Sequence, residues 1–595
     1  MPVSDVGTNE IKPPCMLLCL PPLTVFRSQS GALKSASGRP GCQRCIRTGR
    51  TCDGYEASVN ESQVPLIIRK NLPVTRALNN NLGNELSSHA FDYYRSHVSL
   101  QVGDVIDQGF WNNLVLRLAP TDPAIRHAIT AISLMYADKT NHTRAGPPNY
   151  ETGLIEYNKA IFAVRSWSPA TESRVKPLLV CLLFVCIESM LGHEHYNAAK
   201  MHILQGRRLL ANISNRKSPE IDIIRQYLAP IYLRLAFVGN GRVGFPQYLL
   251  YITTIPLKFS SLVDARCVLY YLVDIGFTLV YDVKFYRLNN AKAEKPDDAR
   301  RGETGLDGKL LARYKHLISE LEKWRHAFDA FVAFSDFDRQ NMRTEKLLSQ
   351  RHCLLIVLLD SIVSGSDYVC DRDHFYELAI ATDAAAFVVA HDAETLQGPS
   401  FTFESEVVRP VYWIAAKCRH PVIRRKALDL LYEREKMKRS ESLTMNKHTI
   451  AMATRVIEIE EEGLEIPRGA HKDRERLLRF QVVARQETSN WVEGFLIDQK
   501  EQWPVMWGLG EQPSEAPTKQ TKLAATREQK ELAEGLAMGW PRERLIWPYG
   551  VTRERRVLSV IVKKHTTDDL WLEYVREPLA PGGQYRVMKE HIRFS

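Results

Sequence analysis

A long succession of helical sequence patterns fills the middle of the chain and constrains its fold more than any other feature. In TDPAIRHAITAISLMYA, the side chain of Asp122 can cap a helix that has Pro123 at its first position. The apolar residues that follow share one helix face, because they recur every three or four positions. They are Ile125, Ala128, Ile129, Ile132, Met135 and Tyr136. Such patterns continue to about Glu465 and predict a large all-α domain.

Two further helices are predicted next in the chain. Leu178 to Leu191 is apolar on every side, which indicates a buried helix, and a second helix covers Ala198 to Leu210. The longest apolar run, Pro177 to Ile187, ends at Glu188. It is shorter than the roughly 20 residues that a helix needs to cross a bilayer, so we expect no membrane partner.

An apolar repeat in LARYKHLISELEKWRHAFDAF has two interpretations. Its members are Tyr314, Leu317, Leu321, Trp324, Phe328 and Phe331. They fit either a coiled-coil seam or one face of a helix packed inside the α-domain. We favour the packed helix, because a seam should run for three or four heptads. The acidic run Glu458 to Glu462 is interpreted as a charged helix face, with an activation element as the alternative.

The composition along the chain divides it into four regions, and the predicted fold class is mainly α. Residues 1–55 carry five of the 11 cysteines, and the polar residues 56–86 form a linker. Residues 87–470 form the all-α domain. Residues 471–595 form a short mixed α/β region, with a second polar linker near 514–535. We expect strands at Val557 to Val562 and Tyr585 to Val587.

The cysteines exclude a secreted disulfide protein, because their total is odd and their spacing forms no regular framework. The six that follow residue 55 lie in apolar or helical stretches and are predicted to be reduced and buried. These are Cys181, Cys186, Cys267, Cys353, Cys370 and Cys418. The net charge of +10 permits an anionic partner.

The segment GRPGCQRCIRTGRTCDGY carries the sharpest chemical pattern, Cys42-x2-Cys45-x6-Cys52. A C-x2-C pair can grip one metal ion, since two intervening residues bring both thiolates to one side. The arginines between the cysteines stabilise thiolates and can contact DNA phosphates. They are Arg44, Arg47 and Arg50. Free thiols in an unstructured tail are the alternative interpretation of the same cysteines.

This string resembles the second half of the fungal binuclear zinc-cluster DNA-binding domain, in which six cysteines hold two zinc ions. Arg39 and Pro40 match the end of the loop that joins its two halves, and Asp53-Gly54 matches the residues after the last ligand. The resemblance implies that Cys42, Cys45 and Cys52 are the last three zinc ligands.

The first half departs from the pattern of that family. It should contain C-x2-C, a basic run that reads a CGG base triplet, and a third cysteine. The chain has Cys15-x3-Cys19 instead, followed by 22 residues before Cys42 and by no basic run. Cys15 and Cys19 therefore do not match the family's ligands. We hypothesise that the sequence around MLLCLPPLTVF is foreign to the module, which sequencing of the transcript's 5′ end would test.

The helical region resembles the fungal-specific transcription factor domain that accompanies such clusters. Its opening is matched by Phe91 to Ala137, and its central helix pair by LLVCLLFVCIESMLG followed by NAAKMHILQGRRLL. A later segment is matched by Val407 to Leu431, and its close by Arg455 to Pro467. The resemblance, over about residues 39–470, implies a nuclear, zinc-dependent regulator of RNA polymerase II transcription. Its partners would be double-stranded DNA with CGG triplets and, as a further option, a second copy of the chain.

Two alternatives remain open. One is a regulatory or interaction protein of the same family that has lost DNA binding. The other is an enzyme, to which we assign little support. Gly239-x-Gly241-x-x-Gly244 with Asp264 meets a dinucleotide fingerprint on paper, but no βαβ alternation surrounds it. The run His193, Glu194 and His195 is interpreted as a break between helices, and Cys181 and Cys186 as core residues.

Overall fold

The computed structural model divides the chain into two units, Met1–Leu66 and Ile67–Ser595, and every residue that it describes lies in the second. The described residues are 85–103, 109–140, 149–167, 173–192, 195–213, 218–235, 244–252, 254–291, 306–364, 368–395, 400–403, 407–441, 446–467, 480–488, 519–566, 568–576 and 586–594. The zinc-cluster region and the first linker therefore lie outside the described residues.

Most of the described residues are helical, as the sequence predicts. The main helices are α1 (Glu85–Tyr93), α2 (Pro123–Thr140), α3 (Asn149–Arg165), α4 (Val175–Leu191), α5 (Tyr196–Ala211), α6 (Ala229–Arg234), α7 (Leu262–Ala291), α8 (Gly308–Val332), α9 (Arg339–Ser364), α10 (Phe375–Thr395), α11 (Val408–Lys417), α12 (Pro421–Lys436), α13 (Asn446–Glu460) and α14 (Lys519–Ala537). Short helical turns at Tyr94–Val98, Phe110–Leu114 and Ile224–Leu228 have π geometry.

Six strands form two sheets in the part of the chain that the structure describes. The strands are β1 (Ser400–Thr402), β2 (Arg439–Glu441), β3 (Phe480–Thr488), β4 (Val557–His565), β5 (Asp569–Arg576) and β6 (Arg586–Phe594). β1 and β2 form a parallel pair, and the other four form an antiparallel sheet in the order β3-β6-β5-β4. Tyr574 on β5 lies opposite Val560 on β4 and Met588 on β6. The predicted strand at Val557 to Val562 is confirmed with longer bounds, and β6 begins at Arg586, within the second predicted strand.

An apolar core surrounds α4, which packs against α2 and α5. Its residues from Leu178 to Ile187 are buried on every side, as their uninterrupted apolar sequence predicts. Asp122 caps α2 as expected: its carboxylate accepts hydrogen bonds from the backbone N–H of Ala124 at 3.0 Å and of Ile125 at 3.4 Å.

A second apolar core joins α7, α8 and α9. Leu317, Leu321, Trp324 and Phe328 of α8 are all buried in it, and the Trp324 indole N–H donates to the carbonyl of Ala265 at 2.9 Å. The apolar repeat of α8 is thus a packed helix face. Helix α9 is long and apolar enough to span a membrane by length and composition alone, but 67% of its most apolar window is buried among these helices.

The four-stranded sheet packs against α11 and α13 through a further apolar core. Val456 and Ile459 of α13 meet Leu572 of β5 and Met588 of β6 there. Two strands of this sheet, β3 and β5, were not predicted from the sequence.

The prediction of a polar linker near 514–535 is wrong, because α14 covers most of it. Its Lys/Glu-rich pattern supplies ion pairs that dock the helix on its neighbours. Glu531 is fully buried and lies 3.2 Å from the Lys426 amine of α12, and Arg527 lies 2.6 Å from Asp383 of α10.

Candidate functional site

The site residues predicted from the sequence lie outside the described part of the chain, so their role as ligands or DNA contacts stays a prediction. They are Cys42, Cys45 and Cys52 for the metal and Arg44, Arg47 and Arg50 for DNA; Cys15 and Cys19, which do not match the family's ligands, also lie outside it. Among the described residues, no group of three or more His, Cys, Asp or Glu side chains is placed to hold a metal ion.

The weaker sequence candidates take structural roles where they are described. The segment before the glycine motif forms α6 rather than a strand, and Asp264 lies in the first turn of α7, where the Ser260 hydroxyl donates to its carboxylate. Neither context suits a dinucleotide. His195 Nδ1 lies 2.6 Å from the Glu188 carboxylate, whereas His193, Glu194, Gly239 and Gly241 lie outside the described residues.

Cys181 and Cys186 are buried in α4, as predicted. Burial raises the pKa of the Cys181 thiol to about 12 and raises that of Cys186 further. Both thiols therefore stay protonated near neutral pH and are inert core groups.

The acidic run at the end of α13 departs from its predicted role as a charged surface face. Glu458 and Glu462 are exposed, but Glu460 and Glu461 are 0% and 2% exposed. They belong to a buried ionic cluster, defined by Asp371, Arg419, Arg424, Arg425, Glu460, Glu461, Arg544 and Arg556. Carboxylates are buried so completely only when cations pair with them.

Glu460 lies at the centre of this buried ionic cluster. One of its carboxylate oxygens accepts from Arg419 Nη2 at 3.0 Å and from the backbone N–H of Val557 at 2.9 Å. The other accepts from Arg424 Nη2 at 2.8 Å. Burial raises the pKa of Glu460, but the two guanidinium groups outweigh burial and bring the pKa down to about 2.

Glu461, which directly follows the last residue of α13, extends the cluster to Arg425 and Arg544. Its carboxylate accepts from Arg425 Nη2 at 2.5 Å and lies 3.1 Å from Arg544 Nη2. Both arginines also stack on the Trp540 ring, at 4.5 Å and 5.3 Å from its centroid. Burial opposes the ionised form of Glu461, but the bonds from Arg425 and the charge of Arg424 keep its pKa below the ordinary value.

Asp371 connects the cluster to the start of β4. Its carboxylate accepts from the backbone N–H of Arg419 at 2.8 Å and from Arg556 Nη1 at 3.0 Å. Since Arg544, Arg556 and Val557 all follow residue 519, the cluster ties the C-terminal segment to the helices at residues 371–461. The contact joins the end of α13 to the first residue of β4, although 97 sequence positions separate Glu460 from Val557.

A second buried ionic group lies at the other end of α11. Glu441 accepts hydrogen bonds from the backbone N–H groups of Val407 and Val408, both at 3.1 Å, so its charge caps the N-terminus of α11. Arg434 Nη2 donates to Glu441 at 2.8 Å, and its Nη1 donates to Asp392 at 2.6 Å. Both ends of α11 are thereby held by buried charges.

These arrangements hold structure and offer no route for catalysis. The carboxylates are sealed from solvent and bonded to guanidinium and backbone N–H groups, so none can reach a substrate as a general base. The sequence patterns described above did not indicate the arginines of this cluster. The sequence does contain a signal for this pairing. The basic string KCRHPVIRR is matched in charge density by one acidic run, EIEEEGLE, which begins near the end of α13.

Comparisons with known proteins give two informative relatives. The chain is 27% identical over 220 residues to "Transcription regulator lscL" from Purpureocillium lilacinum, a match that covers 33% of this chain and 50% of that protein. It is 24% identical over 434 residues to "Aspercryptin biosynthesis cluster-specific transcription regulator atnN" from Emericella nidulans, covering 64% of this chain and 68% of that protein. The chain thus spans half to two thirds of the relatives' length.

No family profile matches the chain, and no solved structure matches it. Both relatives are fungal proteins with names that state transcription regulation, which supports the resemblance to fungal transcription factors at low identity.

Proposed function

We propose that the protein is a DNA-binding transcription regulator of the fungal zinc-cluster type, acting in the nucleus on RNA polymerase II transcription. Its N-terminal module binds double-stranded DNA, and residues 87–470 form the regulatory domain. The observation that carries the proposal is the likeness to two fungal transcription regulators, over 220 residues in one case and 434 in the other. The cysteine and arginine pattern of residues 39–54 supports it independently.

The donor set fits zinc, with a limit on the number of ions. Cys42, Cys45 and Cys52 supply three thiolates, which are three of the four ligands of a tetrahedral zinc site. Two ions in the family's arrangement need six cysteines, so these three thiolates hold one ion at most, together with a fourth ligand. Zinc would supply folding free energy to a segment too short to form an apolar core.

Three arginines would deliver the affinity for DNA. Arg44, Arg47 and Arg50 alternate with the proposed ligands, and no acid lies between residues 39 and 50. Each phosphate that they neutralise releases counterions, so binding should weaken as salt rises. The basic run that reads CGG in the family is absent from this chain. We therefore expect binding with a weak preference for CGG triplets.

Zinc content tests the metal half of this proposal. The full-length chain purified with its metal should contain about one zinc. The double substitution Cys42→Ser/Cys45→Ser should remove it, and the matched double substitution Cys15→Ser/Cys19→Ser should leave it in place. Zinc near zero in the wild type would refute the metal site. Loss of zinc from both variants would make Cys15 and Cys19 ligands as well and contradict the three-ligand assignment.

One specific observation favours a second candidate function. The first half of the module lacks its third cysteine and basic run, and 22 residues separate Cys19 from Cys42. A regulator built from the α-domain alone would act by binding other proteins. An electrophoretic shift assay at low salt, where phosphate contacts are strongest, separates the two functions. A shift with CGG-containing DNA supports the first, and its absence supports the second.

A further inference from the structure

A cavity of about 160 Å³ lies beside the first turns of α7, between the helical segment 225–234 and the turn at Gln247–Leu249. Nine of the fourteen described residues around it are aliphatic, aromatic or cysteine residues. The cavity shares no residue with the buried ionic cluster or with residues 39–54. Neither function discussed above uses it.

The inner side of the cavity is apolar. Leu233, Leu249 and Leu250 line it there, and all three are buried in the apolar core around α4. Tyr251 and Val263 line it as well, but they are 64% and 49% exposed, so they form its solvent side. A guest that covers these side chains would remove apolar surface from water, which favours an apolar guest.

Hydrogen bonds hold the wall in place without a guest. Arg225 Nε and Nη2 donate to the backbone carbonyl of Tyr248 at 3.0 Å and 2.8 Å, which fixes the turn beside the cavity. The Tyr251 hydroxyl donates to the backbone carbonyl of Asp222 at 3.4 Å. The cavity is therefore largely formed in advance, so a guest has few side chains to order when it binds.

The charged groups of the wall are engaged within the protein. Arg225 Nη1 lies 3.9 Å from the carboxylate of Asp222, in addition to its bonds to the turn. The carboxylate of Asp264 accepts a hydrogen bond from a serine hydroxyl one turn earlier. Arg234 and Arg266 are buried and have interactions of their own. An ion that entered would lose its water and would compete with these contacts for a counter-charge, which disfavours ions of either sign.

We propose that this cavity binds a small uncharged organic molecule with a single ring. The volume sets the size, because an apolar protein cavity of about 150 Å³ accepts one benzene molecule. The leucine side receives the ring, and the solvent side leaves room for a small polar group that stays hydrated. The inference does not depend on DNA binding or on zinc, so it can fail separately from the proposed function.

Benzyl alcohol is the probe for this proposal, because it has a negatively and a positively charged analogue of nearly equal shape, benzoate and benzylamine. Calorimetric titration of the full-length protein at constant ionic strength should give saturable binding of benzyl alcohol at about 1 mM or below. We expect benzoate and benzylamine each to bind at least about tenfold more weakly, since each would bring an unmatched charge into the cavity.

Two variants locate the binding. Val263→Trp should fill the cavity from its solvent side and weaken the binding of benzyl alcohol at least about tenfold. Leu257→Trp places the same side chain at a residue that is 98% exposed and outside the lining, so it should leave binding unchanged. Thermal unfolding of each variant without ligand shows whether the fold is kept.

A cysteine in the wall provides a second test that needs no variant. Cys267 lines the cavity and is partly exposed, so a guest should shield its thiol from alkylation by iodoacetamide. Peptide mass spectrometry of the wild-type protein should show that saturating benzyl alcohol slows the alkylation of Cys267, whereas the same concentration of benzoate does not. This readout decides the question if Val263→Trp proves unfolded.

Four results would overturn the proposal. The first is an absence of saturable binding up to about 10 mM benzyl alcohol. The second is equal or tighter binding of benzoate or benzylamine, which would show that the cavity prefers a charged guest. The third is wild-type affinity in a folded Val263→Trp variant. The fourth is an alkylation rate at Cys267 that benzyl alcohol leaves unchanged.

Discussion

The apolar core around α4 and the buried ionic cluster at the C-terminal end of α11 stabilise two parts of the same chain by different forces. Around α4, residues such as Leu182 lie in a core that is apolar on all sides. At the ionic cluster, Glu460 is equally inaccessible but is surrounded by guanidinium groups. The first kind of packing gains from removing apolar surface from water. The second pays a desolvation cost that only complete pairing offsets.

This difference determines how each region responds to a mutation or a change of pH. Apolar packing is insensitive to protonation, and its loss scales with the cavity created. A buried ion pair fails when either partner is neutralised, since the other charge is then left unpaired in a water-free site. The C-terminal sheet, which depends on Arg556 and Val557 at the cluster, should therefore be the pH-sensitive part of the fold.

The largest expected effect comes from neutralising Glu460. Glu460→Gln leaves Arg419 and Arg424 without their shared carboxylate, so we expect a loss of about 3–5 kcal/mol in the free energy of unfolding. Urea denaturation measures it. Glu462→Gln, at a neighbouring side chain that is 63% exposed, should change stability by less than about 0.5 kcal/mol. Equal effects of the two substitutions would show that the cluster does not hold this region.

Truncating the apolar core should cost slightly less. Leu182→Ala removes buried methyl groups from α4 and should lower stability by about 3 kcal/mol, within the range of about 2–5 kcal/mol for such sites. Leu257→Ala, at the exposed leucine, is the matched control and should have almost no effect. Both are measured by urea denaturation. A loss below about 1 kcal/mol for Leu182→Ala would contradict tight packing around α4.

The response to acid sharpens the comparison further. Glu460 has a folded pKa of about 2, below its value in the unfolded chain, so its stabilisation is fully present above about pH 4.5 and is lost as the pH falls toward 2. Below pH 4.5, denaturation midpoints should fall more steeply for the wild type and Leu182→Ala than for Glu460→Gln. Parallel pH profiles for all three proteins would refute this role of Glu460.

The helix cap of α2 should give the smallest of these effects. Asp122→Ala removes the acceptor for the N–H groups of Ala124 and Ile125 and the partner of the Lys176 amine at 3.0 Å, and should cost about 1–2 kcal/mol. Thr121→Ala, at the exposed neighbour, is the control. Asp122→Asn should recover much of the loss, because an asparagine oxygen also caps. A variant Asp122→Ala as stable as the wild type would show that the cap is dispensable.

How well the sequence predicts each region depends on how far apart in sequence its interacting residues lie. The cap at Asp122, the buried α4 and the packed face of α8 are local patterns with a helical period, and all three are confirmed. Long-range pairings carry no such period. Glu460 bonds to Arg419, 41 positions away in sequence, and to the Val557 N–H, 97 positions away. From the sequence alone, the acidic run therefore resembles a charged surface face.

The prediction of a polar linker in the C-terminal region was wrong for the same reason. A Lys/Glu-rich stretch is typical of a linker and equally of an amphipathic helix, and the contact that docks α14 joins Glu531 to Lys426, 105 positions earlier in the chain. Strand β5 was missed although its burial alternates along much of its length. For the proposed zinc and DNA contacts the sequence remains the whole evidence, because residues 39–54 lie outside the described residues.

The measurement that most directly tests the central claim is the salt dependence of DNA affinity for the wild type and for Arg44→Ala/Arg47→Ala/Arg50→Ala. A fluorescence anisotropy titration with a CGG-containing duplex, with zinc present, should give affinities that fall as salt rises. If each arginine contacts one phosphate, the triple variant should reduce the slope of log K against log salt by about 2 to 3. An unchanged slope, or no wild-type binding at low salt, would contradict DNA binding by this module.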